Sequence, residues 1–218
     1  MDTHDHIDIY CERLDGTFWA EPINAITNAA FIIASILAVR LAMRVNTGGA
    51  LPVDTLFLSA MIGVIGVGSF LFHTFATPWS LMADVIPIFI YKLSFLALYA
   101  RRVMRVSPLR VCMLMLGFIM LGYSTYALPK EWLNGSLGYA PALIFLVGYA
   151  TYHYVTHKVE RSLLFIASVV FIVSLTFRSI DMAVCDHLSI GVHYMWHILN
   201  AVVLYLTTRA YLLNRPGS

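Results

Sequence analysis

TLFLSAMIGVIGVGSFLFHTF, residues 55–75, decides the fold of this chain, because it is a long apolar run without a single Asp, Glu, Lys or Arg. A helix of about 20 such residues crosses the hydrocarbon core of a bilayer. Gly63, Gly66 and Gly68 stand just ahead of Ser69 and His73, and small residues at such spacings let helices approach closely. An imidazole at that depth is costly unless it faces a partner or a wet cavity inside a bundle. His73 reads either as a ligand or as a hydrogen-bonded packing residue.

Similar runs recur along the chain. They cover roughly Asn24 to Met43, Leu81 to Arg102, Leu109 to Ala127, Leu137 to His157, Ser162 to Ile180 and Gly191 to Leu212, which with the first makes seven. The 218 residues are 60% hydrophobic and only 12% charged, outside the range of a soluble globular domain. The fold class expected is an all-α membrane protein, a seven-transmembrane helix bundle. The net charge of +2 and the absence of a basic, aromatic-laced patch argue against a nucleic-acid partner.

Basic residues orient the bundle. One side collects Arg40, Arg44, Arg101, Arg102, Arg105, Arg110, Lys158, Arg161, Arg209 and Arg215, whereas the other has Arg13, Lys130 and Arg178, with Lys92 inside a span. By the positive-inside rule the N-terminus is extracytoplasmic and the C-terminus cytoplasmic. Residues 1–22 then form an external segment, 23–212 the membrane domain and 213–218 a cytoplasmic tail. The first 20 residues are polar and acidic and do not read as a cleavable leader. Short loops favour a bacterial inner membrane, with the site near the periplasmic face.

This orientation brings distant residues to one level. The second span carries Ser69 and His73 at its outer end, the third starts outside with Asp84 in its first turn, and the seventh starts outside with His193 and His197. Histidines at i and i+4 share one helix face and can grip one metal ion. With His73 as a third ligand, a four-coordinate zinc would keep a position open for water. The alternatives are that Asp84 caps its helix and that Ser69 belongs to a packing stripe.

Other residues are read by the same logic. His153 and His157 repeat the i, i+4 spacing on the cytoplasmic side, where no acid or imidazole opposes them, and are expected to be interfacial. Arg178 and Asp181 form an ion pair at the rim, or Arg178 snorkels to the interface. The N-terminal segment holds Asp2, Asp5, Asp8, Glu12, Asp15 and Glu21 with His4 and His6, hard ligands suited to calcium or simply a solvated acidic tail. Glu21 and Asn24 stand at the mouth of the first span, where they complete a helix start or a cation site. Cys11 and Cys185 both lie outside and either form a disulfide or remain two thiols.

The chain resembles the alkaline ceramidases and their bacterial relatives, within the seven-transmembrane CREST hydrolase superfamily that also includes adiponectin-receptor-like proteins. The resemblance is carried by Ala20-Glu21-Pro22-Ile23-Asn24 with Thr27-Asn28, by Gly68-Ser69-Phe70-Leu71-Phe72-His73-Thr74, and by Asp84. It continues through Ser179-Ile180-Asp181, Cys185-Asp186 and Gly191-Val192-His193-Tyr194-Met195-Trp196-His197. It implies a zinc-dependent amidase that splits the N-acyl bond of ceramide, a membrane lipid, into a fatty acid and a sphingoid base. His73, His193 and His197 would be the zinc ligands, Asp84 would hold or deprotonate the water, and Ser69 would sit beside the developing oxyanion. The family also has a calcium site, for which Asp8, Glu12, Asp15 and Glu21 are the candidates here. Where its pattern carries an Asp and an Asn this chain has Ile9 and Leu14, with Asp8 and Asp15 each displaced by one residue.

Three other functions compete. A seven-helix receptor or scaffold would hold a structural zinc closed by a fourth protein ligand. A hydrolase of the same superfamily could cleave another lipid ester or amide. A metal transporter would need polar residues continuing inward below the histidines, and few are present.

Overall fold

The computed structural model describes residues 6–46, 49–125, 127–129 and 132–216. His4, Asp2, Asp5 and Lys130 lie outside the described residues. Helices and connecting turns make up all the regular structure described. A short α1 (Pro22–Thr27) continues into α2 (Ala29–Val45), followed by α3 (Val53–Phe75) and α4 (Pro78–Leu98), which ends in a π-helical turn over Tyr99–Val103. Then come α5 (Pro108–Thr125), a kinked 3₁₀ segment over Trp132–Tyr139, α6 (Ala140–Val155), α7 (Leu163–Ile180) and α8 (His193–Asn214).

Six helical stretches among the described residues are long and apolar enough to cross a membrane: Pro22–Val45, Val53–Phe75, Pro78–Val103, Pro108–Thr125, Trp132–Val155 and Leu163–Ile180. The chain is therefore a multi-pass membrane protein. The seventh stretch expected, α8, is a full 22 residues long but is not among the six, since it carries His193, His197, Asn200, Thr207, Thr208 and Arg209. The reason lies in its position. It packs on α7, α2, α3 and α1 in the middle of the bundle, with most of its residues buried. A helix wrapped in protein is released from the lipid's demand for apolar side chains, whereas Val64, Val67, Ile86, Phe89 and Ile172 on its neighbours remain exposed to the surroundings.

Two helix starts differ from the expected ones, and both position the site. Helix α1 begins at Pro22, whose missing N–H costs nothing at a first helical position. The next two free N–H groups, of Ile23 and Asn24, donate to the Glu12 carboxylate at 2.7 and 2.8 Å. Helix α4 begins at Pro78, where Thr77 and Ser80 form the capping box. Asp84 thus stands in the second turn and does no capping.

The glycine stripe of α3 packs as a stripe of small residues should. Gly66 lies against Phe31 and Asn28, and a Cβ on Gly68 would come 2.0 Å from the Ala83 carbonyl oxygen. That oxygen has no helical donor, because the residue four positions on is Pro87. A backbone-to-backbone contact between α3 and α4 therefore sits one residue before both Ser69 and Asp84.

Residues 6–21 fold over the histidine end of the bundle. Ile7 N–H donates to the Ala76 carbonyl at 2.7 Å, and a disulfide joins Cys11 to Cys185 across Cα atoms 5.4 Å apart. At the opposite end the expectation for His153 fails. It is fully buried, with Nδ1 2.5 Å from the Tyr99 hydroxyl and Nε2 near the carbonyls of Val159 and Glu160. It ties the loop after α6 back onto α4's π-turn, and is not interfacial.

Candidate metal centre

His73 from the last turn of α3 meets His193 and His197 from the first turns of α8, with one ligand nitrogen of each within 4.8 Å of the others. Ring centroids are 5.3 Å apart for His73 and His193, 4.6 Å for His73 and His197, and 4.7 Å for His193 and His197. All three rings are buried. Among the described residues this is the one group of three or more His, Cys, Asp or Glu side chains placed to hold a metal ion.

Hydrogen bonding selects the nitrogens. Glu21 Oε2 lies 2.6 Å from His73 Nδ1. A carboxylate can only accept, so Nδ1 carries the proton and Nε2 keeps the lone pair. Thr27 Oγ1 spends its one hydrogen on the carbonyls of Ile23 and Asn24, at 2.8 and 3.1 Å, and so accepts from His197 Nδ1 at 3.0 Å. His197 Nε2 is then bare. It is buried with no partner, as is His193 Nδ1. Leaving two buried ring nitrogens unsatisfied would be costly in a finished core. Such atoms beside a third imidazole suit a borderline-soft cation such as zinc.

Asp84 and Ser69 stand next to this group. The Asp84 carboxylate interacts electrostatically with His73 and Ser69, and its Oδ1 is buried without a hydrogen-bond partner. Ser69 is buried beside it, held there by the Gly68 contact with Ala83. The structure thus brings the three histidines together, with Asp84 in electrostatic range of His73. Below them, starting with Asn200 one turn beyond His197, a narrow cavity of about 60 Å³ is lined by Ile88, Tyr91, Phe95, Phe118 and Leu204. A larger recess of about 690 Å³ shares Lys92 and Phe118 in its wall and reaches Arg178.

Several residues around the centre carry no advance signal. Tyr10 stacks on His193 with centroids 3.6 Å apart. Arg13 is buried against Glu21 and the His73 carbonyl. Asp181 does not pair with Arg178. Its Oδ1 accepts the N–H groups of Val192 and His193 at 2.6 and 2.8 Å, and Oδ2 accepts Cys11 N–H at 3.0 Å. It therefore caps α8 from outside the helix and fixes the first metal-facing residue. Gly191, at φ +61°, passes so close that a Cβ would meet Asp181 Oδ1 at 2.2 Å. Arg178 goes instead to the Asn134 carbonyl and Ser136 hydroxyl and lies over the Tyr139 and Trp196 rings.

The four acids named for calcium are not brought together. Asp8 and Asp15 are exposed, and Asp15 is held below the usual carboxylate range by the Thr17 hydroxyl and N–H. Burial pushes the Glu12 carboxyl up, partly offset by the N–H groups of Asn24 and Ile23. Burial would do the same to Glu21, but His73 and Arg13 together hold it below its ordinary value.

A family model described as Ceramidase matches residues 10–215. No curated protein matches the chain.

Proposed function

Since the chain belongs to the ceramidase family, we propose that it is a zinc-dependent intramembrane amidase that cleaves the N-acyl bond of ceramide or a related lipid, releasing a fatty acid and a sphingoid base. The observation that carries this reading is the meeting of three imidazoles, two with unpartnered buried nitrogens, beside the unpartnered Asp84 Oδ1. His73, His193 and His197 would hold the ion. Bound there, zinc supplies Lewis-acid activation of water and of the amide carbonyl.

The protein's own groups do the rest. Asp84 accepts the proton of the attacking water and returns it to the departing amine as the C–N bond breaks and a C–O bond forms. Its electrostatic interactions with His73 and Ser69 support this role. Ser69 donates a hydrogen bond to the carbonyl oxygen as negative charge develops there. Glu21 and Thr27 keep the two anchored imidazoles in the tautomer with Nε2 bare. The narrow cavity below the site is lined mostly by apolar side chains, among them Ile88, Phe95, Phe118 and Leu204, a chemistry that suits part of an alkyl chain.

On this reading α8 is the seventh crossing, protected by its neighbours, and the metal centre lies at the extracytoplasmic face of a bacterial inner membrane, an orientation that the charge asymmetry supports and a membrane that the short loops favour. A lipid whose amide sits at headgroup level then reaches the site sideways from the bilayer. A receptor with a structural zinc is less well supported, because the metal group has three protein ligands and Asp84 is not one of them.

The test is Asp84→Asn in purified protein, with metal analysis and mass spectrometry of products from a panel of N-acyl sphingoid lipids. Retained zinc with hydrolysis down by about 10²-fold or more is expected. Unchanged turnover would remove Asp84 from the mechanism, and wild-type protein without bound zinc would remove the whole reading.

A further inference from the structure

The family resemblance places a calcium ion beside Glu12 and Glu21, and in this chain every oxygen of those two carboxylates is already engaged. Glu12 Oε1 and Oε2 cap α1 through Ile23 and Asn24. Glu21 Oε2 accepts from His73 Nδ1 at 2.6 Å and from Asn24 Nδ2 at 3.1 Å. Glu21 Oε1 receives Arg13 Nε at 2.6 Å. Ile9 and Leu14 offer no side-chain ligand, and Asp8 and Asp15 point to the surface.

A cation is nevertheless present. Arg13 is only 4% exposed, and its guanidinium makes three donations in three directions. Besides Nε to Glu21, Nη1 donates to the Asp15 carbonyl at 3.2 Å and Nη2 to the His73 carbonyl at 3.0 Å. The His73 carbonyl belongs to the last turn of α3, and the N–H four residues on, that of Thr77, is spent on Ser80 Oγ. Arg13 thus satisfies an orphan carbonyl at the negative end of the helix dipole. An oxygen from a carboxylate and two backbone carbonyls around one positive charge is the donor set a bound hard cation would use.

We propose that the Arg13 guanidinium is the resident cation of this site and stands in for a divalent ion: it neutralises Glu21, clasps the N-terminal segment to the end of α3, and through Glu21 fixes the ring of the metal ligand His73. Arg13 is a positioning residue, reaching the metal centre only through Glu21 and the α3 backbone. The protein consequently takes up no calcium here, and calcium affects neither its stability nor its hold on zinc. Only the zinc-affinity part of this inference rests on the amidase reading.

The experiment uses detergent-purified full-length protein in calcium-depleted buffer at fixed zinc, with calcium added to millimolar levels. Melting temperature and zinc content are expected to stay unchanged, and calorimetry to register no stoichiometric calcium binding. Calcium binding that is present in wild type and lost in Glu21→Gln would overturn the proposal. Arg13→Gln is expected to melt lower and to bind zinc about 10- to 100-fold more weakly, the usual effect of removing an outer support of a metal ligand. A folded Arg13→Gln protein with wild-type zinc affinity would also overturn it. If that variant does not fold, Arg13→Lys serves, since it keeps the charge but not the planar fork. A severalfold weakening is expected, and unchanged affinity would refute the clasp. Failure of zinc to bind wild type at all would strike the amidase reading and leave the calcium result standing on its own.

Discussion

Replacing Gly68 with alanine tests whether the α3–α4 contact sets the catalytic geometry. The added methyl would lie 2.0 Å from the Ala83 oxygen, 2.7 Å from its carbonyl carbon and 3.2 Å from the Asp84 nitrogen, all backbone atoms that no rotamer change can move. Relaxing to an ordinary C···O contact of about 3.3 Å requires the two helices to part by roughly 1.3 Å. Overpacking of this kind costs about 1–3 kcal/mol, against up to about 1 kcal/mol gained from replacing glycine in a helix. A net loss of about 1–2 kcal/mol is the expected stability effect. The effect on catalysis should be larger in proportion, because Asp84 rides on α4 while Ser69 and His73 ride on α3, and a misplacement of about 1 Å can cost about 10²-fold. Zinc content should be retained, since all three ligands lie on α3 and α8. The assay is kcat by mass spectrometry of released sphingoid base, with melting temperature and metal content on the same samples. Gly117→Ala is the control, because nothing lies within 4 Å of a Cβ there. A Gly68→Ala enzyme whose kcat stays within about threefold of wild type would refute the argument that this contact places Asp84.

Three further outcomes follow from the geometry. Thr27→Val removes the acceptor that holds His197 Nδ1, and zinc affinity measured by competition with a chromophoric chelator should fall by about 10-fold. Gly191→Ala combines a strained φ of +61° with a clash against Asp181; a lower melting temperature and loss of zinc are expected, and wild-type behaviour in both would show that the Asp181 cap does not position α8. Replacing Cys11 and Cys185 together by serine opens a loop spanning 174 residues and should destabilise the protein by about 2–5 kcal/mol, read as a drop in melting temperature that reductant reproduces in wild type.

Much of the site is legible because a membrane supplies a ruler. Span length fixes depth, so His73, Asp84 and the His193–His197 pair can be placed at one level from residue counting alone. Where the structure departs from the sequence pattern, the cause is a specific contact. Asp84 falls in the second turn of α4 and not the first, because capping by Thr77 and Ser80 starts the helix at Pro78, three residues ahead of the apolar run. Arg178 and Asp181, three apart, looked like partners, but Asp181 turns to the start of α8 instead. His153 looked interfacial because its partner Tyr99 comes from another helix.

By itself, then, the sequence determined a membrane helix bundle with three imidazoles and an acid at a shared depth, because hydrophobic periodicity and charge bias are encoded within each segment. Only the tertiary structure decided which nitrogen of each imidazole is bare, that α8 is the protected central helix, and that Arg13 occupies the space beside Glu21. Those outcomes depend on contacts such as Arg13 with His73, 60 residues apart, and Cys11 with Asp181, 170 apart. Such contacts form only when the N-terminal segment is drawn across the end of the bundle, and no periodicity within either segment encodes that path.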